Sequence, residues 1–270
     1  MGSRLWQCVA CGRQTSVTAG TIFQDTRTPL PTWFRAIWYV TSQKTGASAA
    51  GLQQVLGFGS YQTAWAWLHK LRRAMVRPGR DRLTGHVEVD ETYWGAGEDG
   101  VRGRKLANRT LIAIAVESVG ARGLGRIRMR QVANASADAL QAFIEDAVDR
   151  GSVVSTDGWA GYDRVSKRGY EHRVTWLEGD PQSPAALLPR VHRVAALLKR
   201  WLLGTHQGAV SFEHLDYYLD EFTFRFNRRK SRNRGKLFYR LVQQAVAVDP
   251  VPYKDLVGGK PQDVGGTLVK

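Results

Sequence analysis

The sequence predicts an α/β protein: one mixed sheet flanked by helices, with a small helical module ahead of it. Three observations predict this. Apolar residues recur at helical spacing within residues 29–77. Beyond the breaker Arg77-Pro78-Gly79-Arg80 the rhythm becomes strand-like alternation. A strand–helix–strand unit and further helices then follow, the element order of a layered α/β structure.

Residues 1–28 hold Cys8 and Cys11 among Gly- and Thr-rich connections. Leu30-Pro31-Thr32-Trp33 opens an apolar helix that runs to residue 40. A short helix over 47–56 stops at Gly57, and Phe58-Gly59-Ser60 makes a turn with Ser60 as the next N-cap. The third helix, 61–76, puts Ala64, Leu68, Leu71 and Met75 on one face. Alternation then marks strands at 86–94, 110–117 and 127–132. A helix over 136–150 with Ser136 as cap leads into a short apolar strand, 153–156, and a further strand at 172–177. Helices are predicted over 189–203, 211–228 and 236–246, and the Pro- and Gly-rich tail from residue 249 is expected to be loosely ordered.

The 270 residues are 43% apolar with nine each of Trp, Tyr and Phe, enough for a real core and against disorder throughout. The net charge of +15 draws polyanions, of which nucleic acid is the commonest, although ribosomal and membrane-surface proteins share the trait. No run approaches the roughly 18 apolar residues of a membrane span. The first residues lack the apolar stretch of a signal peptide, so a cytoplasmic location is expected. In a reducing compartment the pair Cys8 and Cys11 points to metal or redox chemistry.

The segment His86-Val87-Glu88-Val89-Asp90-Glu91 sets acids between valines. Alternation puts Val87, Val89 and Glu91 on one face and Glu88 and Asp90 on the other. Val153-Val154-Ser155-Thr156-Asp157 places a second carboxylate at the end of another strand. Two such carboxylates on adjacent strands make a hard-oxygen site suited to Mg²⁺ or Mn²⁺. Two metals about 4 Å apart can activate the attacking oxygen and stabilise the leaving oxygen in phosphodiester chemistry. Taken alone, Asp90 and Asp157 read equally well as strand-end residues; Glu88 and Glu91 read as hydrogen-bonding neighbours, with Glu88 a second candidate ligand. A helix closing the pocket would carry His192 and Lys199, seven residues apart and so on one side.

The motifs VEVDETYWGA, STDGWAGY, LLKRWLLGTHQG and YYLDEFTFRFNRR, with CVACGRQTSVTAGTIFQDTRTPLPTWFRAIWYV and SYQTAWAWLHKLRRAM upstream, resemble zinc-ribbon insertion-sequence transposases of the ISXO type. The resemblance spans most of the chain. It implies a ribonuclease-H-like catalytic domain over 84–248 and a DDE-type enzyme that cuts and joins DNA with Mg²⁺ or Mn²⁺. In such enzymes the 3′-hydroxyl of a cut element end attacks target DNA. The family pattern of two Asp, then Glu or Asn, then Lys falls on Asp90, Asp157 and Lys199. Where an acid would stand, seven residues before the lysine, this chain has His192, a ligand better matched to Mn²⁺ than to Mg²⁺. The family ribbon uses two cysteine pairs for tetrahedral zinc. Only Cys8 and Cys11 are present, so residues 1–28 read as a partial ribbon and zinc binding by them is the less favoured reading.

Residues 29–77 fit a helix-turn-helix module whose last helix offers Gln62, Thr63, His69, Lys70 and Arg73 to DNA. A structural helical hairpin would look similar. The run Arg228, Arg229, Lys230, Arg232, Arg234 has no acid within it and is a candidate backbone-phosphate surface, as are Arg102, Arg104 and Lys105. The expected partners are double-stranded DNA and, because two element ends must be paired, a second copy of the chain. Two rival readings are a catalytically inactive copy that only binds DNA, and a ribonuclease-H-like nuclease acting on RNA or junctions.

Overall fold

The computed structural model describes residues 5–77, 79–95, 108–175 and 188–258. They form two compact units, one from both ends of the chain, Met1–Arg80 and Lys230–Lys270, and one from Asp81–Arg229.

The first unit opens with a hairpin of β1 (Leu5–Gln7) and β2 (Gln14–Ser16). Three helices follow: α1 (Leu30–Ser42), α2 (Ala49–Leu56) and α3 (Tyr61–Ala74). Ser48 caps α2 by accepting the Gly51 N–H at 3.1 Å, and Gly57 ends it in the left-handed region at φ 68°. Ala64, Leu68, Leu71 and Met75 are all buried, as their common face predicts. Trp33 of α1 stacks on Trp67 of α3 with ring centroids 3.5 Å apart.

The second unit is built on a five-stranded sheet of β3 (His86–Gly95), β4 (Arg109–Val119), β5 (Gly123–Val132), β6 (Val153–Asp157) and β7 (Glu171–Thr175). The order is β5-β4-β3-β6-β7. The first three strands form an antiparallel meander, and β6 and β7 add to it in parallel. Helix α4 (Ala137–Ala147) links the two halves, its N-terminus capped by Ser136. Helices α5 (Pro189–His206) and α6 (Leu215–Asn227) complete the unit.

Side-chain alternation sorts this sheet into two buried faces. Val87, Val89, Leu111, Ala113 and Ala115 pack with Leu140, Phe143 and Ile144 of α4. Ile112, Ile114 and Val116 point the other way, into Val191, Val194 and Leu198 of α5 and Leu219 and Phe222 of α6. A sheet covered on both faces explains why β4 is an almost unbroken apolar run. Each large apolar side chain that α5 and α6 bury in that layer contributes on the order of 1.5–3 kcal/mol. Asp216 and Asn227, at the two ends of α6, accept the N–H groups of Gln131 and Ile127 at 2.9 and 2.7 Å, which satisfies the outer edge of β5.

The chain then returns to the first unit. Helix α7 (Arg234–Ala245) packs on α1, with Phe238 edge-on to Phe34 and Trp38, and a last short helix, α8 (Tyr253–Val257), buries Leu256. This corrects two expectations. Residues 230–248 close the helical unit and not the sheet unit, because the apolar face of α7 matches α1. Residues 249–258 are an ordered continuation anchored by Leu256; 259–270 lie outside the described residues.

Candidate active site

The three parallel strands end on one side of the sheet, where ligands of open α/β sheets usually bind. Strand β3 pairs with β6 through His86↔Val153, Val87↔Val154 and Glu88↔Ser155. Asp90 and Asp157 each lie two residues beyond the last of these pairs, Glu88↔Ser155, towards the same end of the two strands. Both point to the α5 side, opposite Val87, Val89 and Val154, and both are half-buried. One oxygen of Asp90 accepts the Glu91 N–H at 2.8 Å, and one of Asp157 accepts the Trp159 N–H at 3.1 Å.

Helix α5 lies over this face and brings His192 to the site: its Nδ1 is 3.7 Å from Asp90 Oδ2. What places the helix is Glu88. Its Oε2 accepts the N–H groups of Arg190 and Val191 at 2.8 and 3.0 Å, and its Oε1 meets the Arg190 guanidinium at 2.7 Å. A carboxylate at a helix N-terminus satisfies otherwise unpaired N–H groups and complements the helix dipole. Arg190 also donates to the carbonyls of Gly120, Ala121 and Gly123, fastening α5 to the β4–β5 turn. Glu88 is therefore a hydrogen-bonding neighbour, fully committed to the helix. Lys199 sits half-buried two turns along α5 from His192.

On the opposite face, Glu91 accepts a 2.5 Å hydrogen bond from the Tyr162 hydroxyl. Burial pushes the Tyr162 phenol well above the usual tyrosine range, and Glu91, Asp90 and Asp157 push it the same way. Two histidines brace β6 from its two faces: His86 Nε2 lies 2.7 Å from Ser155 Oγ, and His172 Nε2 lies 2.8 Å from Thr156 Oγ1. Burial lowers both imidazoles below the usual histidine value. Tyr162, His86, His172 and Arg190 carry no periodic signal in the sequence, and only the fold reveals their partners.

Among the described residues, no three His, Cys, Asp or Glu side chains are gathered closely enough to hold a metal ion as they stand. The donor chemistry nonetheless suits a hard divalent cation, with carboxylates near the ends of two adjacent parallel strands and an imidazole beside one of them.

The predicted DNA-contact residues divide sharply. Gln62 and Thr63 are exposed in the first turn of α3. His69 is a correction: it is 0% exposed, packed on Trp65 and 3.5 Å from Arg72, because the helical face that carries it faces the core. Lys70 and Arg73 are half-buried, and burial lowers the Lys70 ammonium, with Asp25 partly offsetting it. In the basic run, Arg228 lies over the Phe224 ring and Arg229 over Phe226, and Arg229 donates to the Leu124 and Gly125 carbonyls. These two arginines are engaged by the protein, although Arg229 is exposed; Lys230, Arg232 and Arg234 are exposed as well. Arg102, Arg104 and Lys105 lie outside the described residues.

Cys8 and Cys11 are exposed and unbridged at the tip of the β1–β2 hairpin. The turn is closed by Cys8 N–H to Arg13 O at 2.8 Å and Gly12 N–H to Cys8 O at 2.9 Å, with Gly12 at φ 69°. The Cys11 backbone N–H and thiol, and then the Ala10 N–H, lower the Cys8 thiol below its ordinary value.

A meander of three antiparallel strands extended by two parallel ones, with helices on both faces, is the ribonuclease-H-like arrangement found among polynucleotidyl transferases. The ISXO2-like transposase domain model matches residues 82–227, more than half of the chain, and the chain belongs to that family. It is 28% identical over 242 residues to an uncharacterized protein in transposable element ISH50 of Halobacterium salinarum, covering 85% of this chain and 80% of that protein. Among solved structures, it is similar to the catalytic core domain of BIV integrase, with 18% identity, TM-score 0.35, and 59% of this chain and 97% of that one covered. It is also similar to the Mos1 mariner transposase in a paired-end complex with Mn, with 13% identity, TM-score 0.29, and 82% and 80% covered. Among the described residues, no helix is long and apolar enough to cross a membrane.

Proposed function

We propose that this transposase cuts and joins phosphodiester bonds at the ends of its insertion sequence, using Mg²⁺ or Mn²⁺ held by Asp90, Asp157 and His192. The observation that supports the reading is His192 Nδ1 3.7 Å from Asp90 Oδ2, with Asp90 and Asp157 each two residues past the last pair of two adjacent parallel strands. The relative found within a transposable element supports the same reading. In the joining step a 3′-hydroxyl attacks the target phosphorus, and the displaced 3′-oxygen takes up a proton. Divalent ions held by Asp90, Asp157 and His192 would supply charge neutralisation for this exchange. The chain itself supplies position: β3 and β6 fix the two carboxylates, and Glu88 and Arg190 fix α5 over them. Lys199, on the same side of α5 as His192, meets the flanking phosphate. Duplex DNA is bound by the first turn of α3 through Gln62 and Thr63 and by Lys230, Arg232 and Arg234. A second copy of the chain holds the second element end.

The replacement of the third acid by His192 favours one other reading, a copy that binds DNA without cutting it. Strand-transfer assays on a pre-cut element end, in Mn²⁺ and in Mg²⁺, separate the two. Joining by the wild type, lost in Asp90→Asn and in Asp157→Asn with end binding retained, is the expected result. Binding without joining in either metal would establish the inactive copy.

A further inference from the structure

Nearly all of the chain's net charge of +15 sits in the helical unit, and the sheet unit, Asp81–Arg229, is almost balanced. Within the sheet unit α5 departs from that balance: it carries four Arg and Lys residues and no Asp or Glu. Arg190 is taken up by Glu88. Arg193 and Arg200 are exposed, and neither has a hydrogen-bond or ion-pair partner among the described residues. By contrast, exposed Arg164 and Arg173 pair with Asp138 and Glu171.

His192 faces Asp90, and Arg193 follows it by one residue, about 100° further round the helix. Arg200 stands in the same relation to Lys199. The two arginines therefore share one face of α5, opposite the side that buries Val191, Val194, Leu198 and Leu202. They are about 10 Å apart along the helix axis, the rise of about three nucleotides of a strand. Four residues beyond Arg200, on the same face, stands Gly204, exposed and inside the helix. Glycine weakens a helix relative to alanine, so a helical glycine calls for a reason. For Gly51 in α2 the reason is internal: a Cβ there would fall 2.8 Å from the Tyr39 hydroxyl oxygen. A Cβ on Gly204 would meet nothing within 4 Å. The described fold does not require this glycine, whereas close approach of a ligand to the helix backbone uses it.

Guanidinium groups bind phosphate oxygens in a fixed fork and keep their charge at any working pH. We propose that the outer face of α5 is a track for the phosphate backbone of DNA leaving the reaction site. Arg193 and Arg200 bind phosphates of one strand about three nucleotides apart, and Gly204 lets that strand lie against the helix. This rests on the cutting-and-joining reading above and goes beyond it, since neither arginine belongs to the proposed metal site. The DNA in the track is the element end or the target, which share this chemistry.

The test uses the full chain and two titrations across a salt series, read by fluorescence anisotropy. The first uses a duplex ending in the terminal repeat that flanks the coding sequence. The second adds a labelled duplex of unrelated sequence, as target, to protein already carrying element ends. Arg193→Gln with Arg200→Gln is expected to lower the slope of log affinity against log salt by about 0.9 for each phosphate no longer neutralised. A change in the first titration assigns the track to the element end, and a change confined to the second assigns it to target DNA. Arg193→Lys with Arg200→Lys should restore the wild-type slope. Gly204→Trp is expected to weaken binding of the same duplex about tenfold or more, while Gly204→Ala melts at or above the wild-type temperature. Wild-type slopes in both titrations for the glutamine variant, with its melting temperature also unchanged, would overturn the proposal. The expected slope changes in a protein that never joins strands in Mg²⁺ or Mn²⁺ would leave the track standing and remove the cutting reading. Wild-type protein that binds neither duplex would overturn both.

Discussion

His192 Nδ1 stands 3.7 Å from Asp90 Oδ2, on a different element that Glu88 and Arg190 hold in place. At this separation the imidazole is close enough to share an ion with the carboxylate. His192→Ala is therefore expected to lower strand transfer by about a hundredfold or more, the upper end of losses seen when a metal site's supporting groups are removed. DNA binding should survive. His192→Glu is expected to shift the metal preference from Mn²⁺ towards Mg²⁺, since an oxygen donor replaces nitrogen. Strand-transfer yields in each metal, beside gel-shift affinities, measure both; wild-type joining by His192→Ala would remove His192 from the mechanism.

The Glu88–Arg190 pair is sealed, with side-chain exposures of 3% and 12%. Breaking a buried pair from one side strands the other charge, at a cost of about 3–5 kcal/mol. Arg190→Met is expected to fall in that range by urea unfolding. Glu88→Gln keeps a carbonyl acceptor for one helix N–H and should lose less. Equal stability of all three proteins would mean that the cap does not fix α5.

Tyr162 supplies an alkaline signature. Its phenol is held well above the ordinary tyrosine value, first by burial and then by the Glu91 carboxylate. Below a pH of about 10 the phenol is protonated in both folded and unfolded chains and stability is insensitive to it. Above that, the unfolded chain releases its proton first, and stability falls as pH rises towards the folded value. Tyr162→Phe is expected to lose about 1–3 kcal/mol at neutral pH, because Glu91 loses the hydroxyl donor. The variant should then show a shallower decline at alkaline pH. Unfolding curves at pH values of about 8 and 10.5, on either side of the ordinary tyrosine value, check this, and parallel declines would contradict it.

The arginine run should split by function. Replacing Arg232 and Arg234 with Ala is expected to reduce the slope of log affinity against log salt by about 0.9 for each phosphate that is no longer neutralised. Arg228→Ala and Arg229→Ala should mainly reduce stability, because those guanidinia lie on Phe224 and Phe226. Salt titrations of DNA binding and thermal melts distinguish the two pairs.

What the sequence revealed of this molecule follows from how locally each feature is encoded. Alternation through Val87, Glu88, Val89 and Asp90 is a property of consecutive residues, and the two faces it implies are the two faces of β3. The partner of Glu88 is not local: nothing near it in the chain points to Arg190, and the pair exists only because α5 crosses β3. His69 failed for a related reason. Helical spacing places it among polar neighbours on α3, yet Trp65 and Arg72 close over it once the helix packs. Helix α7 was legible as a helix, but its destination was set by the complementarity of Phe238 to Phe34 and Trp38. That Asp90 and Asp157 lie on neighbouring strands needed the pairing of β3 with β6, and a single sequence offers no register between parallel strands.

The division of the first unit between the two ends of the chain has a consequence in time. During synthesis α1, α2 and α3 emerge first, but Phe238, which packs against Phe34 and Trp38, comes only after the whole second unit. At about 5–20 residues per second, the ribosome takes on the order of ten seconds to cover that gap. The sheet unit has all its own strands and helices before the helical one is complete. The nascent polypeptide thus holds the whole sheet unit while its helical unit still waits for the helices that finish it.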